Sequence, residues 1–409
     1  MNWIFGIIIN QYPNIRFTFL LLAITFNIGI LFYYKYAFFS ISIINKIFNL
    51  SINVPSISLP IGISFFTFQA LSYIIDVYKG QLPSEKNFFI FALYISFFPQ
   101  LIAGPIIKYH DINTQIHSRT LSLEKFANGS RRFIYGLGKK VVIANTLAYV
   151  VDIFYSSDDV IAYSCVLTWI ITIFYSLQIY YDFSGYSDMA IGLGMLFGFV
   201  INENFNYPYT SNSIRMFWQK WHISLGSWLK EYIYFPLGGN RCGAFRTYLN
   251  LFIIFLITGL WHGASTTFVL WGIYHGIFSI LERLGFEKFL KKHSLFSHIY
   301  TLLIVNFGWV LFRSDNLHQA KIIISKMIFP WLYNASSIPY HSIITNSSIA
   351  VAAISVLGLG IIQKNNTIEK QLCKLKFSYL ELLFNIAIYI LCIVSLASNS
   401  YNPFIYFRF

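Results

Sequence analysis

WQKWHISLGSWLKEYIYFPLGG (residues 218–239) and GLWHGA (residues 259–264) place His222 and His262 in two Trp-His pairs. The sequence around them is built for lipid. Apolar runs approach the 17–25 residues that a membrane-crossing helix needs. They fall at Phe17–Tyr34, Ile57–Tyr78, Phe88–Ile107, Val141–Tyr155, Val160–Tyr181, Tyr248–Leu260, Thr267–Leu281, Ile299–Phe312, Ile349–Ile362 and Leu380–Ser398. A shorter, glycine-bearing run covers Tyr186–Ile201. Lipid tolerates an ionisable side chain poorly unless it faces a partner or a water-filled cavity. Imidazole also moves protons readily near neutral pH. An intramembrane pair of histidines therefore reads first as a functional site.

Composition sets the class. Of 409 residues, 56% are hydrophobic and 11% charged, against about 25% charged in an average soluble domain. The expected fold is an all-α polytopic membrane protein of about ten to eleven helices, in one domain spanning residues 1–409. No internal repeat, linker or low-complexity tract interrupts it. The net charge of +13 does not point to nucleic acid, because the Lys and Arg sit in short clusters between apolar runs. Membrane lipid is the expected counter-charge. Cys165, Cys242, Cys373 and Cys392 form no CxxC pair and no metal spacing. The first apolar run lacks a cleavage site and is expected to act as its own insertion signal.

The basic clusters orient the chain. They are Lys108–Lys140, Arg215–Arg246, Arg283–Lys292 and Lys364–Lys376. Placing all four inside puts the His262 turn, Asn334–Asn346 and the C-terminus outside. Between Asp182 and Arg215 the helix parity fails unless one segment is re-entrant. Such backbone is tolerated only when buried in protein or lining a cavity.

Within Ser213–Ile233, Trp218, Trp221, Leu225, Trp228, Leu229 and Tyr232 recur at spacings of three and four. This predicts an amphipathic helix along the membrane surface, with its aromatic rings at headgroup level and His222 at the margin of its apolar face. His262 ends an apolar run before Gly263, a residue that lets backbone approach closely or a helix break. Local sequence leaves both histidines open between site and packing. His275 falls on the next helix and reads as a structural or supporting group. Gln178, Asp182, Ser184 and Asp188 crowd one apolar run, where they either line a polar tunnel and orient a histidine or bond helix to helix.

There is no HExxH, GxSxG, Walker or Rossmann pattern. The chemistry left is a histidine base that deprotonates an acceptor hydroxyl, which then attacks an activated acyl group.

RMFWQKWHISLGSWLKEYIYFPLGGNR (215–241) with GLWHGASTTFVLWGIYHG (259–276) resembles the membrane-bound O-acyltransferase family, in its bacterial alginate O-acetyltransferase branch. LPIGISFFTFQALSYIIDVYKG (59–80), ISFFPQLIAGPIIKY (95–109), QIYYDFSGYSDMAIGLGMLFGF (178–199), GWVLFRS (308–314) and NPFIYFRF (402–409) resemble it in the same order. The resemblance covers the chain from about Leu21. It implies a ring of helices around a central funnel, with His262 as the essential histidine and His222 as its support. Trp221, Ser224, Trp228, Tyr232, Gln178, Asp182, Trp261 and His275 are the expected tunnel-lining residues. No bound cofactor or metal is implied. The donor is expected to be a cytoplasmic acyl thioester such as acetyl-CoA, and the acceptor an envelope or extracellular polysaccharide. An extracytoplasmic acetyltransferase- or esterase-like partner and a bacterial inner-membrane location follow from the same resemblance. Members of this branch often carry a further apolar segment ahead of the stretch matching Leu21, so a peripheral helix is expected to be missing here. Three alternatives stay open: D-alanyl or other acyl transfer to a teichoic-acid-type polymer, a proton-coupled transporter using the histidines, and a non-catalytic scaffold that recruits a partner.

Overall fold

The computed structural model describes residues 1–53, 58–101, 104–157, 159–333, 338–360 and 378–398, and these are helical with no strand among them. Four helices are long and apolar enough to cross a membrane: Arg16–Phe48, Gly243–His262, Ser294–Arg313 and Tyr379–Ser398. Ile63–Tyr78 and Asn346–Leu357 are shorter apolar helices. The chain is a multi-pass membrane protein. The expected helix over Ile349–Ile362 is helical to Leu357 and turns at Gly358–Gly360, while residues 361 and 362, like the Lys364–Lys376 cluster, Cys373 and NPFIYFRF, lie outside the described residues.

Arg16–Phe48 runs through a π-helical turn at Phe32–Tyr36. Ahead of it, Asn2–Gln11 forms a ten-residue helix. Asn2 and Asn27 tie the two helices by reciprocal side-chain amide bonds of 3.0 and 2.7 Å. Phe88–Ile107 does not form one helix: among its described residues only Phe88–Ile95 is helical.

The most consequential difference lies at Cys165–Leu196, a single 32-residue helix. The runs Val160–Tyr181 and Tyr186–Ile201 were expected as two segments. They fuse, and Asp182, Ser184 and Ser187 sit buried in mid-helix. At 1.5 Å per residue this helix is longer than the roughly 30 Å hydrocarbon core. One helix stands where two runs were counted. Gly185 and Gly192 let it pack directly on Leu123–Gly138: a Cβ at either would meet the backbone oxygens of Gly136 and Gly129. That contact brings Lys140 to 2.8 Å from Asp182 and Lys139 to 2.6 Å from Asp188.

The surface helix expected over Ser213–Ile233 is also absent as such. The segment breaks into Ile214–Lys220 and Ile223–Leu229, followed by a π-helical turn at Lys230–Tyr234. Most of its apolar residues pack into the protein and do not form an exposed face. Trp221, Leu225, Trp228, Leu229 and Tyr232 belong to the main buried cluster of the protein. The segment is thus irregular and packed within the protein.

Candidate active site

His222 is the residue at the break. It adopts φ 46° and ψ 54°, left-handed backbone that costs a non-glycine residue roughly 1–2 kcal/mol. Asn204 holds it there. The Asn204 carbonyl accepts from Ile223 N at 2.9 Å, and its side-chain Oδ1 accepts from Ser224 N at 3.2 Å and Ser224 Oγ at 2.9 Å. The same Oδ1 lies 3.1 Å from His222 Nδ1. An amide oxygen only accepts, so the proton sits on Nδ1 and leaves Nε2 with its lone pair. Nε2 has no hydrogen-bond partner among the described residues. Asn204 Nδ2 donates to Ser187 Oγ at 3.1 Å, which anchors the arrangement to the long helix. Phe183 of that helix meets the His222 ring edge-on at 4.7 Å.

His262 is the last residue of Gly243–His262, buried at 5% exposure. Its ring stands in an aromatic box, with Trp261, Trp271 and Phe312 centroids at 5.1, 5.2 and 5.0 Å, all edge-to-face. The box depends on close helix crossing. A Cβ at Gly259 would strike the Phe268 carbonyl, and one at Gly263 would overlap the Phe268 ring. Gly263 itself is extended, so space and not backbone freedom requires glycine there. The two histidines share Trp261, whose ring lies 6.0 Å from His222 and 5.1 Å from His262.

The other expected residues divide. Ser224 joins the Asn204 network and accepts from Ile106 N at 2.9 Å. Trp228 stacks on Phe68 at 3.8 Å and donates to the Phe68 carbonyl at 3.0 Å, while Phe68 lies 5.6 Å from Trp261. Trp221 packs away from the pair, on Phe217 and Trp309. His275 is wholly buried against Trp218 and Trp271. Gln178 is buried on the long helix, and Asp182 is ion-paired with Lys140. Tyr232 donates to Asp76 Oδ1 at 2.8 Å.

That last bond leads to a cluster which no sequence spacing revealed, because its members come from three segments. His110 Nδ1 lies 2.9 Å from Asp76 Oδ2, and the candidate ligand atoms of Asp76, His110 and Glu231 all fall within 4.8 Å of one another. Lys108 Nζ sits 2.6 Å from Glu231 Oε2, so a metal ion there would have to compete with an ammonium. The hydrogen bond to Asp76 raises the pKa of His110 above its ordinary value.

Ile223, beside His222, lines two cavities. One, of about 450 Å³, has Arg215, Lys230 and Arg283 together with the carboxylates of Glu282 and Glu287 among its polar groups, and Trp218 and Phe255 on its apolar side. The other, of about 1080 Å³, is lined by Asn204, Ser184 and Ser187, with Phe384, Ile388 and Leu391 also on its wall. From the first, Trp218 touches Trp271 at 5.4 Å, and Trp271 touches His262 at 5.2 Å. Asn204, Lys35 and Tyr36 were missed by the sequence reading. Lys35 and Tyr36 reach the carbonyl oxygens at the end of the His262 helix from the first long helix. No spacing signals such contacts, although Lys35 was visible as a cation in an apolar run.

Residues 78–314 match the sequence profile of MBOAT, the membrane-bound O-acyltransferase family. The chain is 39% identical to a probable alginate O-acetylase AlgI of Pseudomonas putida, over 95% of this chain and 84% of that protein. It is 45% identical to its Pseudomonas aeruginosa counterpart, over 74% of this chain and 58% of that one. It is 37% identical to a peptidoglycan O-acetyltransferase of Helicobacter pylori, over 76% and 64% of the two lengths.

Proposed function

This chain belongs to the membrane-bound O-acyltransferase family and is an acyltransferase; from that premise we propose that it O-acetylates a cell-envelope or extracellular polysaccharide, with His262 as general base. The observation that carries the reading is the pairing of two buried histidines that share contact with the Trp261 ring. His262 takes the proton of an acceptor hydroxyl, and the oxygen attacks the thioester carbonyl. The new C–O bond forms as the C–S bond breaks, and the thiolate leaves with the proton returned by His262. The protein supplies position and a water-poor site, and no covalent enzyme intermediate is needed.

His222 supports this through Nε2, which can accept a hydrogen bond from the donor or from a water while Asn204 fixes the opposite edge of the ring. The donor is a cytoplasmic thioester such as acetyl-CoA. The cavity lined by Arg215, Lys230 and Arg283, whose three cations outnumber its carboxylates Glu282 and Glu287, suits its phosphates, and the apolar path through Trp218 and Trp271 suits its acyl end. The acetyl group is thereby delivered to the acceptor, or to an extracytoplasmic partner, on the far face of a bacterial inner membrane. Residues 1–409 act as one domain.

The test is the acetyl content of purified envelope polysaccharide from cells carrying His262→Ala. Loss of acetyl groups at normal protein level is expected. Unchanged acetylation sinks the assignment.

A further inference from the structure

The last carbonyls of an α-helix have no partner within it. At the end of Gly243–His262 they are taken up from far away in the sequence. Lys35 Nζ lies 2.5 Å from the Trp261 carbonyl oxygen and 3.2 Å from that of His262, and Tyr36 Oη donates to the Leu260 carbonyl at 2.8 Å. Lys35 Nζ also reaches Ser64 Oγ at 3.2 Å and stands 5.9 Å from the Trp261 ring. Both residues sit in the π-helical turn at Phe32–Tyr36. Such turns insert one residue into the helical register and so re-aim neighbouring side chains. An ammonium at a helix C-terminus also meets the negative end of the helix dipole.

We propose that Lys35 is a positioning residue for His262. Terminal helical residues fray unless capped, and the residue that carries the imidazole is the terminal one. Gly263, which follows, has no side chain to stiffen the exit. The Lys35 clamp fixes the His262 peptide, and through it the direction in which the ring enters the box of Trp261, Trp271 and Phe312. Tyr36 is the second tie, one residue earlier on the helix. Ser64 locks the ammonium to the start of Ile63–Tyr78, so three segments meet at one charge. The inference rests on the reading of His262 as the base.

The experiment uses the full chain in lipid nanodiscs and follows transfer of labelled acetyl groups from acetyl-CoA into isolated envelope glycan. Lys35→Met, Lys35→Arg, Tyr36→Phe and His262→Ala are compared with the parent at equal amounts of folded protein. For Lys35→Met, kcat should fall roughly 100-fold, the scale of a misplaced catalytic group, with KM for acetyl-CoA little changed. Lys35→Arg should restore most of it, and amides near residue 262 should exchange hydrogen faster in the Met variant only. Should Lys35→Met fail to fold, Tyr36→Phe carries the same test with a smaller loss of kcat. Unchanged kcat in the foldable variants beside an inactive His262→Ala would overturn the clamp and leave the base standing. A rise in KM with kcat retained would also overturn it, by making Lys35 a donor contact. An active His262→Ala would instead remove the reading on which the clamp depends.

Discussion

Cys165–Leu196 and Ile214–Leu229 depart from their sequence reading in opposite directions. The first carries Asp182, Ser184, Ser187 and Asp188 around Gly185, and it runs unbroken. The second has an uninterrupted amphipathic spacing, and it breaks at His222. In the first, the polar groups find partners on a packed neighbour: Lys140 for Asp182, Lys139 and Arg132 for Asp188. A buried charge with a partner need not end a helix. In the second, Asn204 offers the backbone and side chains around residue 222 better partners than a straight helix could. Polar residues alone therefore do not mark a break; the location of their partners does.

The comparison can be broken most severely on the continuous side. Asp182→Leu strands Lys140 in the interior and should cost about 3–5 kcal/mol, read as a lowered unfolding temperature of the solubilised protein. Adding Lys140→Met should recover most of that loss, and failure to recover would show that the pair does more than neutralise itself. On the broken side, Asn204→Ala removes an oxygen that serves three donors. Destabilisation of about 1–3 kcal/mol is expected, together with a fall in acetyl transfer, because His222 loses the bond that sets its tautomer. A stable variant with full turnover would separate Asn204 from the site.

A finer cut distinguishes strain from chemistry at the break. His222→Gly and His222→Ala should both lose activity, but the glycine variant should be the more stable by about 1 kcal/mol. Equal unfolding temperatures would mean the left-handed backbone relaxes once the ring is gone.

The smallest effect concerns the Asp76–His110 contact beside the end of the broken segment. Its folded pKa is raised, first by the hydrogen bond to Asp76 and also by the carboxylates of Asp111 and Glu231. Stability from this group is fully present below its unfolded value, near pH 6.5, and is lost as pH rises through the higher folded value. Thermal unfolding followed from roughly pH 6 to 9 should show a modest decline, and His110→Gln should flatten it.

Much of this was legible in the chain. Composition and run length specified a helical membrane protein, since hydrocarbon admits few other ways to satisfy a backbone. The Trp-His pairs pointed to His222 and His262, because an ionisable ring in lipid is unusual in any sequence. The family blocks around them gave the chemistry, and the matching profile over residues 78–314 agrees. The parity of the basic clusters even signalled trouble between Asp182 and Arg215, although two runs were counted where one helix stands.

What the sequence by itself determined, then, is the class of protein and the residues worth asking about. Hydrophobicity and charge are properties of single positions and survive in any conformation. Tertiary structure alone decided which polar groups are partners. Asn204 meets His222, Lys140 meets Asp182, and Lys35 meets the carbonyls of Trp261 and His262. Hydrogen bonds and ion pairs reach only a few ångströms. Such encounters across tens or hundreds of residues exist only once the helices have packed.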